Sequence, residues 1–179
     1  MKHFLVALGL GLASSHALAN QGSINFYGNV HAGTCSVQII DPSTGLPVSR
    51  VNMGNVNTAQ FAQVDDEAAT RAFGLRVTPG RGCILLPGAT TTVTFAGNYG
   101  AAGATGTLYA LEPGGAQGLA LVIKDDLGAQ VPNGVPSKPY VLHDSKPSDM
   151  IFSAAYKATA NPVTAGFANT DIRFNVDVP

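Results

Sequence analysis

Asp171-Ile172-Arg173-Phe174-Asn175-Val176-Asp177-Val178 alternates polar and apolar residues without a break. Successive side chains of an extended strand point to opposite faces, so Ile172, Phe174, Val176 and Val178 form one apolar face. The same period recurs upstream. Ile24, Phe26, Gly28 and Val30 take alternate positions, with Asn25, Tyr27 and Asn29 between them. Cys35 and Val37 begin another strand, ended by Asp41-Pro42-Ser43-Thr44-Gly45. Val51 and Met53 suggest a short one. Phe73, Leu75 and Val77 alternate toward Pro79-Gly80; Thr91, Val93 and Phe95 follow, then a Gly/Ala loop from Gly97 to Gly106. Leu119, Leu121 and Ile123 lead to Asp125-Asp126-Leu127-Gly128, a hairpin turn by its residue types. Phe152, Ala154 and Tyr156 form a further strand. Asp65 to Thr70 reads as a helical turn. No stretch carries a helical period capped at both ends. Short strands separated by turn residues predict an all-β chain, an antiparallel β-sandwich in one domain.

The N-terminus has a different character. Lys2 and His3 precede the apolar run Phe4 to Ala13, and Ala17-Leu18-Ala19 supplies small residues two apart. This is the pattern of a secretory signal peptide, with cleavage expected after Ala19. The run is too short for a membrane span, which needs roughly 20 apolar residues. Residues 20–179 suffice for one domain with a sizeable core. Loss of Lys2 raises the acidic excess from one to two, and no basic cluster remains. Nucleic acid is therefore excluded as a partner. An exported chain meets an oxidising compartment, where Cys35 and Cys83 are expected to form a structural disulfide. The loop so closed is worth about 4 kcal/mol in the chain-entropy account. The alternative, a metal or redox pair, lacks a CxxC spacing and has only His31 and His143 to draw on.

Other chemistry is thinly represented. His143-Asp144-Ser145 has the residue types of a catalytic triad, but triad members normally converge from separate loops. Gly100 to Gly106 lacks the Lys-Ser/Thr ending of a phosphate loop. Asp125-Asp126 lacks the spaced ligands of a calcium loop. No catalytic residue, cofactor site or metal site is expected. Trp is absent, which removes the usual sugar-stacking platform.

Both ends of the chain after Ala19 are alternating apolar strands. On their own they read as edge strands paired within one molecule. The ordered set of motifs weighs otherwise. Gly22-Ser23-Ile24-Asn25-Phe26-Tyr27-Gly28-Asn29-Val30 with Thr34-Cys35-Ser36-Val37 resembles the start of type 1-like fimbrial (pilin) subunits of the chaperone–usher pathway. The position of Cys83, the segment Leu121 to Gly128, Tyr156-Lys157-Ala158, Pro162 to Gly166 and the strand Asp171 to Val178 are similar to that family in the same order. Gly166 stands fourteenth from the C-terminus, as in the family. The family's usual penultimate tyrosine is replaced by Val178, which keeps apolar character without the ring and hydroxyl.

The resemblance implies an incomplete immunoglobulin-like β-sandwich, one strand short and completed by a donor strand from a neighbouring subunit. Residues 1–19 would be the signal peptide, 20–33 the donor-strand extension and 34–179 the pilin domain. Ile24, Phe26 and Val30 would fill a neighbour's groove, with Gly28 passing where it is tight. Gly166, Ile172, Phe174, Val176 and Val178 would form the acceptor groove and chaperone-binding strand. The implied partners are other copies or related fimbrial subunits, a periplasmic chaperone and an outer-membrane usher. The implied location is a fimbrium at the bacterial surface, reached through the periplasm and supporting adhesion. The competing expectations are a tip adhesin, which normally needs a second domain, and a small secreted β-sandwich binding module.

Overall fold

The structure is a computed structural model, and it describes residues 35–179. The expected signal peptide and extension, including Ile24, Phe26, Gly28, Val30 and His31, lie outside the described residues. Ten strands follow in order: β1 (Ser36–Ile40), β2 (Glu67–Thr78), β3 (Thr90–Thr91), β4 (Val93–Gly97), β5 (Ala101–Ala102), β6 (Leu108–Tyr109), β7 (Leu119–Asp125), β8 (Tyr140–Val141), β9 (Ser148–Ala158) and β10 (Ile172–Val176). One six-stranded sheet runs β1-β2-β9-β7-β6-β5; opposite it lie two two-stranded pairs, β10-β4 and β3-β8. Each of these pairings is antiparallel.

Alternation explains the core. Phe73, Leu75 and Val77 of β2, Met150, Phe152 and Ala154 of β9, and Leu121 and Ile123 of β7 are buried on one face of the large sheet. Val93 and Phe95 meet them from β4. Phe152 is the hub: its ring stacks on Phe73 at 5.7 Å and takes edge contacts from Phe95 at 5.0 Å and Tyr140 at 5.4 Å. These are the offset and edge-on arrangements that aromatic quadrupoles favour. A smaller cluster, Leu108, Ala120, Val122 and Ala155, is buried separately. Polar groups drawn inside are paired. The Tyr109 hydroxyl donates to the Val131 carbonyl, and burial pushes its pKa far up. Among the described residues no buried side-chain nitrogen or oxygen lacks a hydrogen bond, as stable interiors require.

Cys35 and Cys83 form the expected disulfide. The hairpin after β7 turns where expected: Asp125 Oδ1 accepts from the N–H groups of Leu127 and Ala129, and Gly128 takes φ 81°. A side chain would be strained at that angle.

Three local expectations are corrected. Asp65 to Thr70 is no helical turn; from Glu67 it is the start of β2. A β-bulge interrupts the ladder between Ala68 and Arg71, and Ala69 sits at φ 59°. The short helical turn lies earlier, a 3-10 turn at Thr58–Gln60 capped by Asn57. Val51 and Met53 form no strand. The Asn52 side chain accepts from Gly54 N–H, and Gly54 takes φ 72°, so the chain curls instead of extending. The strand read through Thr91, Val93 and Phe95 divides at Thr92, because β3 pairs with β8 and β4 with β10.

The solvent face of the large sheet carries cross-strand ion pairs. Arg76 and Asp149 face each other in register and pair through both carboxylate oxygens at 2.6 and 2.7 Å. The hydrogen bond from Arg76 and its charge hold the Asp149 carboxyl below its ordinary value of 3.8. A depressed carboxylate contributes stability above the unfolded-state pKa and loses it as pH falls through the folded-state value. Asp149→Asn should therefore cost up to about 1 kcal/mol near pH 7, since the pair is partly exposed. The difference from the parent should shrink as pH falls through the folded-state pKa of Asp149, which lies below its ordinary value, in urea titrations. Cys35→Ser should lower unfolding stability by about 4 kcal/mol by the same method.

Candidate functional site

The end of the chain approaches the core along a constrained path. A Cβ added at Gly166 would lie 2.5 Å from the Ala116 backbone nitrogen. Only glycine can pass there. The Phe167 carbonyl then accepts from Ala116 N–H at 2.7 Å. Asn169 O accepts from Glu112 N–H, Thr170 Oγ1 donates to the Ala110 carbonyl, and the Tyr156 hydroxyl donates to the Ala168 carbonyl at 2.6 Å. Burial of Tyr156 raises its pKa, so it remains a donor.

These bonds deliver β10 alongside β4, Ile172 opposite Gly97 and Val176 opposite Val93. The pairing parity follows from the flanks. Asp171 O accepts from Asn98 N–H, and Asp177 N–H donates to Thr92 O. In an antiparallel pair, alternate residues bond the partner strand. The odd-numbered residues of β10 therefore bond β4. Ile172, Phe174 and Val176 turn their N–H and C=O groups the other way. Among the described residues no strand pairs with that side. The side chains of these three residues are half-buried against the core, while Arg173 and Asn175 are exposed.

A groove of about 930 Å³ lies along this side. Ile172 and Phe174 form one rim, continued by Ala168 to Asp171 and Tyr99. Ile39 of β1 and the curled segment Ser49 to Gly54 form the other. Phe73, Leu75, Phe95, Leu121, Ile123, Ala154 and Tyr156 line its floor. The floor is apolar, so the groove offers burial in its depth and backbone hydrogen-bonding groups at its β10 rim. Polar groups gather at one end, where Tyr99 stands near Glu112 and Asp171. Burial first, then those two carboxylates, raise the tyrosine's pKa.

Of the residues expected to act here, Ile172 and Phe174 line the groove. Val176 and Val178 continue the half-buried stripe and pack on the core beyond the lining. Gly166 stands off the groove, at the backbone crossing with Gly115 and Ala116. The floor residues and the Ser49 to Gly54 rim were not expected as site residues. The signal available was that Phe73, Leu75, Leu121 and Ile123 share one apolar face.

His143, Asp144 and Ser145 are exposed on the loop before β9, where the His143 backbone N–H donates to Ser148 Oγ. Among the described residues no group of three His, Cys, Asp or Glu is placed to hold a metal ion. No helix among them is long and apolar enough to cross a membrane.

The comparisons with known proteins agree with this geometry. A family model described as fimbrial protein matches residues 24–179. The fimbrial-like protein FimF of Salmonella typhimurium (strain LT2) is 29% identical, over 99% of this chain and 98% of its own length. The type I fimbria protein of Burkholderia pseudomallei, solved as a crystal structure, is 26% identical with a TM-score of 0.59, over 80% of this chain and 99% of that one. The P pilus rod subunit PapA shares the fold, with a TM-score of 0.59 at 19% identity over 82% of this chain and 100% of that one. With its immunoglobulin-like all-β body and a family match spanning nearly all of its length, this chain belongs to the fimbrial protein family.

Proposed function

We propose that this structural fimbrial subunit polymerises by strand exchange, the groove beside β10 accepting a strand from a neighbouring copy or related subunit. The observation that carries the reading is the coincidence at Ile172 and Phe174 of a backbone edge unpaired among the described residues and an inward apolar face. Addition of a strand to an exposed sheet edge is an established mode of recognition, and pilin donor-strand complementation is one of its known cases. Main-chain bonds supply affinity and alternate side chains supply register. An exposed edge of this kind is an aggregation hazard until it is covered. A periplasmic chaperone would cover it first, and an outer-membrane usher would oversee its replacement.

The strand to be lent is Ile24 to Val30, after a signal peptide of residues 1–19 is removed. Ile24, Phe26 and Val30 each bring roughly 1.5–3 kcal/mol of burial, and Gly28 passes where the groove narrows. Ordering a free extension subtracts from that total. Ile172, Phe174, Val176 and Val178 would face either the chaperone or the donor. Gly166 acts at a distance, by setting the path into β10. The role is mechanical and non-enzymatic: the subunit extends an adhesive fimbrium at the cell surface.

Register provides the test. Phe26→Asp should abolish the polymer ladder that persists in cold detergent and collapses on heating, while Tyr27→Asp should leave it largely intact. Equal effects would remove the alternation on which the proposal stands. Phe174→Asp should abolish the ladder from the acceptor side, while a copy lacking Gly22 to Val30 should still bind chaperone.

A further inference from the structure

We infer that fimbrial neighbours also touch body to body, the apolar surface around Ile84 and Leu86 of one copy seating on the end of the next copy that carries Phe167. The inference rests on the strand-exchange reading above and adds an interface to it.

The body has two ends, and the ladders assign residues to each. Ser36 pairs with Thr78, Val77 with Ser148, and Thr91 with Tyr140. These positions, the Cys35–Cys83 disulfide and the finish of β10 therefore share one end. Ile84 and Leu86 follow Cys83 there. Glu67 pairs with Lys157, Leu119 with Ala158, and Ile172 with Gly97. These define the opposite end, to which Phe167 is tied through Ala116.

Large apolar side chains stand out at both ends. At the disulfide end Ile84 is 84% and Leu86 72% exposed, with Val141 at 64%. At the opposite end Phe167 is 78% exposed. Single exposed apolar residues are ordinary, but a group at one end of a repeating unit and a large exposed ring at the other are what an end-to-end contact would use.

Chain length keeps the two bodies close. The lent strand finishes at Val30 and the body begins at Cys35. The five residues from His31 to Cys35 reach at most about 17 Å when fully extended. The disulfide end of the lending copy is therefore held within about 17 Å of the copy that accepts its strand. The accepting copy's own disulfide end is already engaged, because its own strand leaves from there into the preceding copy. Only its opposite end remains, the end with Phe167. The contact is thus head to tail, a heterologous interface that propagates as a filament. The strand tether raises the effective concentration of the two surfaces, so even a small contact would form.

The test uses polymers of the full chain, which has no cysteine beyond its disulfide pair. Leu86→Cys combined with Phe167→Cys should give crosslinks between copies with a short bismaleimide, and either substitution alone should give none. Crosslinks from Leu86→Cys alone, or none from the pair while the detergent-resistant ladder persists, would overturn the body contact and leave strand exchange standing. Loss of the ladder in the parent protein would overturn both. Ile84→Asp with Leu86→Asp provides an independent readout. That variant should keep the ladder but give fibres of shorter persistence length by electron microscopy. Unchanged stiffness would count against the contact.

Discussion

Among the described residues β10 pairs on one side only, and the architecture around it follows from that. A strand in the interior of a sheet satisfies its backbone on both sides. β10 bonds β4 through its odd-numbered residues and turns the even-numbered ones toward a groove. Those same residues aim Ile172, Phe174 and Val176 at the core. Free backbone groups and apolar side chains are therefore presented along one line. A surface edge strand would normally carry polar or charged residues on its inner side or be kept very short. β10 does neither. Its one charged residue, Arg173, and the flanking Asp171 belong to the set that bonds β4, so they do nothing to block the open side.

That arrangement explains why the six-stranded sheet is so much more extensive than what faces it. β2 and β9, of twelve and eleven residues, carry most of the inner apolar face. Opposite them, β3-β8 and β10-β4 cover only part of that face, and the strand from Thr90 to Gly97 breaks at Thr92 to serve both pairs. Phe152 holds the covered part together through three ring contacts. The uncovered part is the groove, floored by Leu121, Ile123 and Tyr156.

Much of this was legible from residues alone, and for one reason. Where burial has a strict period of two, as in β2, β7, β9 and β10, the sequence writes the period directly. The disulfide followed from compartment and count. What escaped were features set by local geometry instead of burial. Val51 and Met53 have strand-like spacing, but Asn52 and Gly54 close a tight turn between them. Ala68-Ala69-Thr70 has helical composition, but β2 recruits it through a bulge that puts Ala69 in the left-handed region. The resemblance puts Gly166 with the groove residues, whereas its own requirement is the close approach to Ala116. The groove itself could be read only as two apolar strands, because a sequence shows which face is apolar and not which edge is unpaired.

Leaving one strand position open has a cost that the surrounding bonds offset. Both rims lose the ladder that would otherwise hold them, and both are fixed by other means. β1 begins at the disulfide and is backed by the return of the chain, where Val48 N–H donates to the Ile39 carbonyl at 2.9 Å. β10 is held at its start by Tyr156, Thr170 and Glu112 through backbone groups of residues 168, 110 and 169. At its finish, Thr91 Oγ1 donates to the Asp177 carbonyl at 2.8 Å. None of these bonds uses the N–H or C=O of Ile172 or Phe174; the Val176 carbonyl accepts locally from Val178 N–H at 3.1 Å. The rims are thereby secured at their ends while the backbone between them stays available, which is the condition a groove must meet to take in a strand without first unfolding.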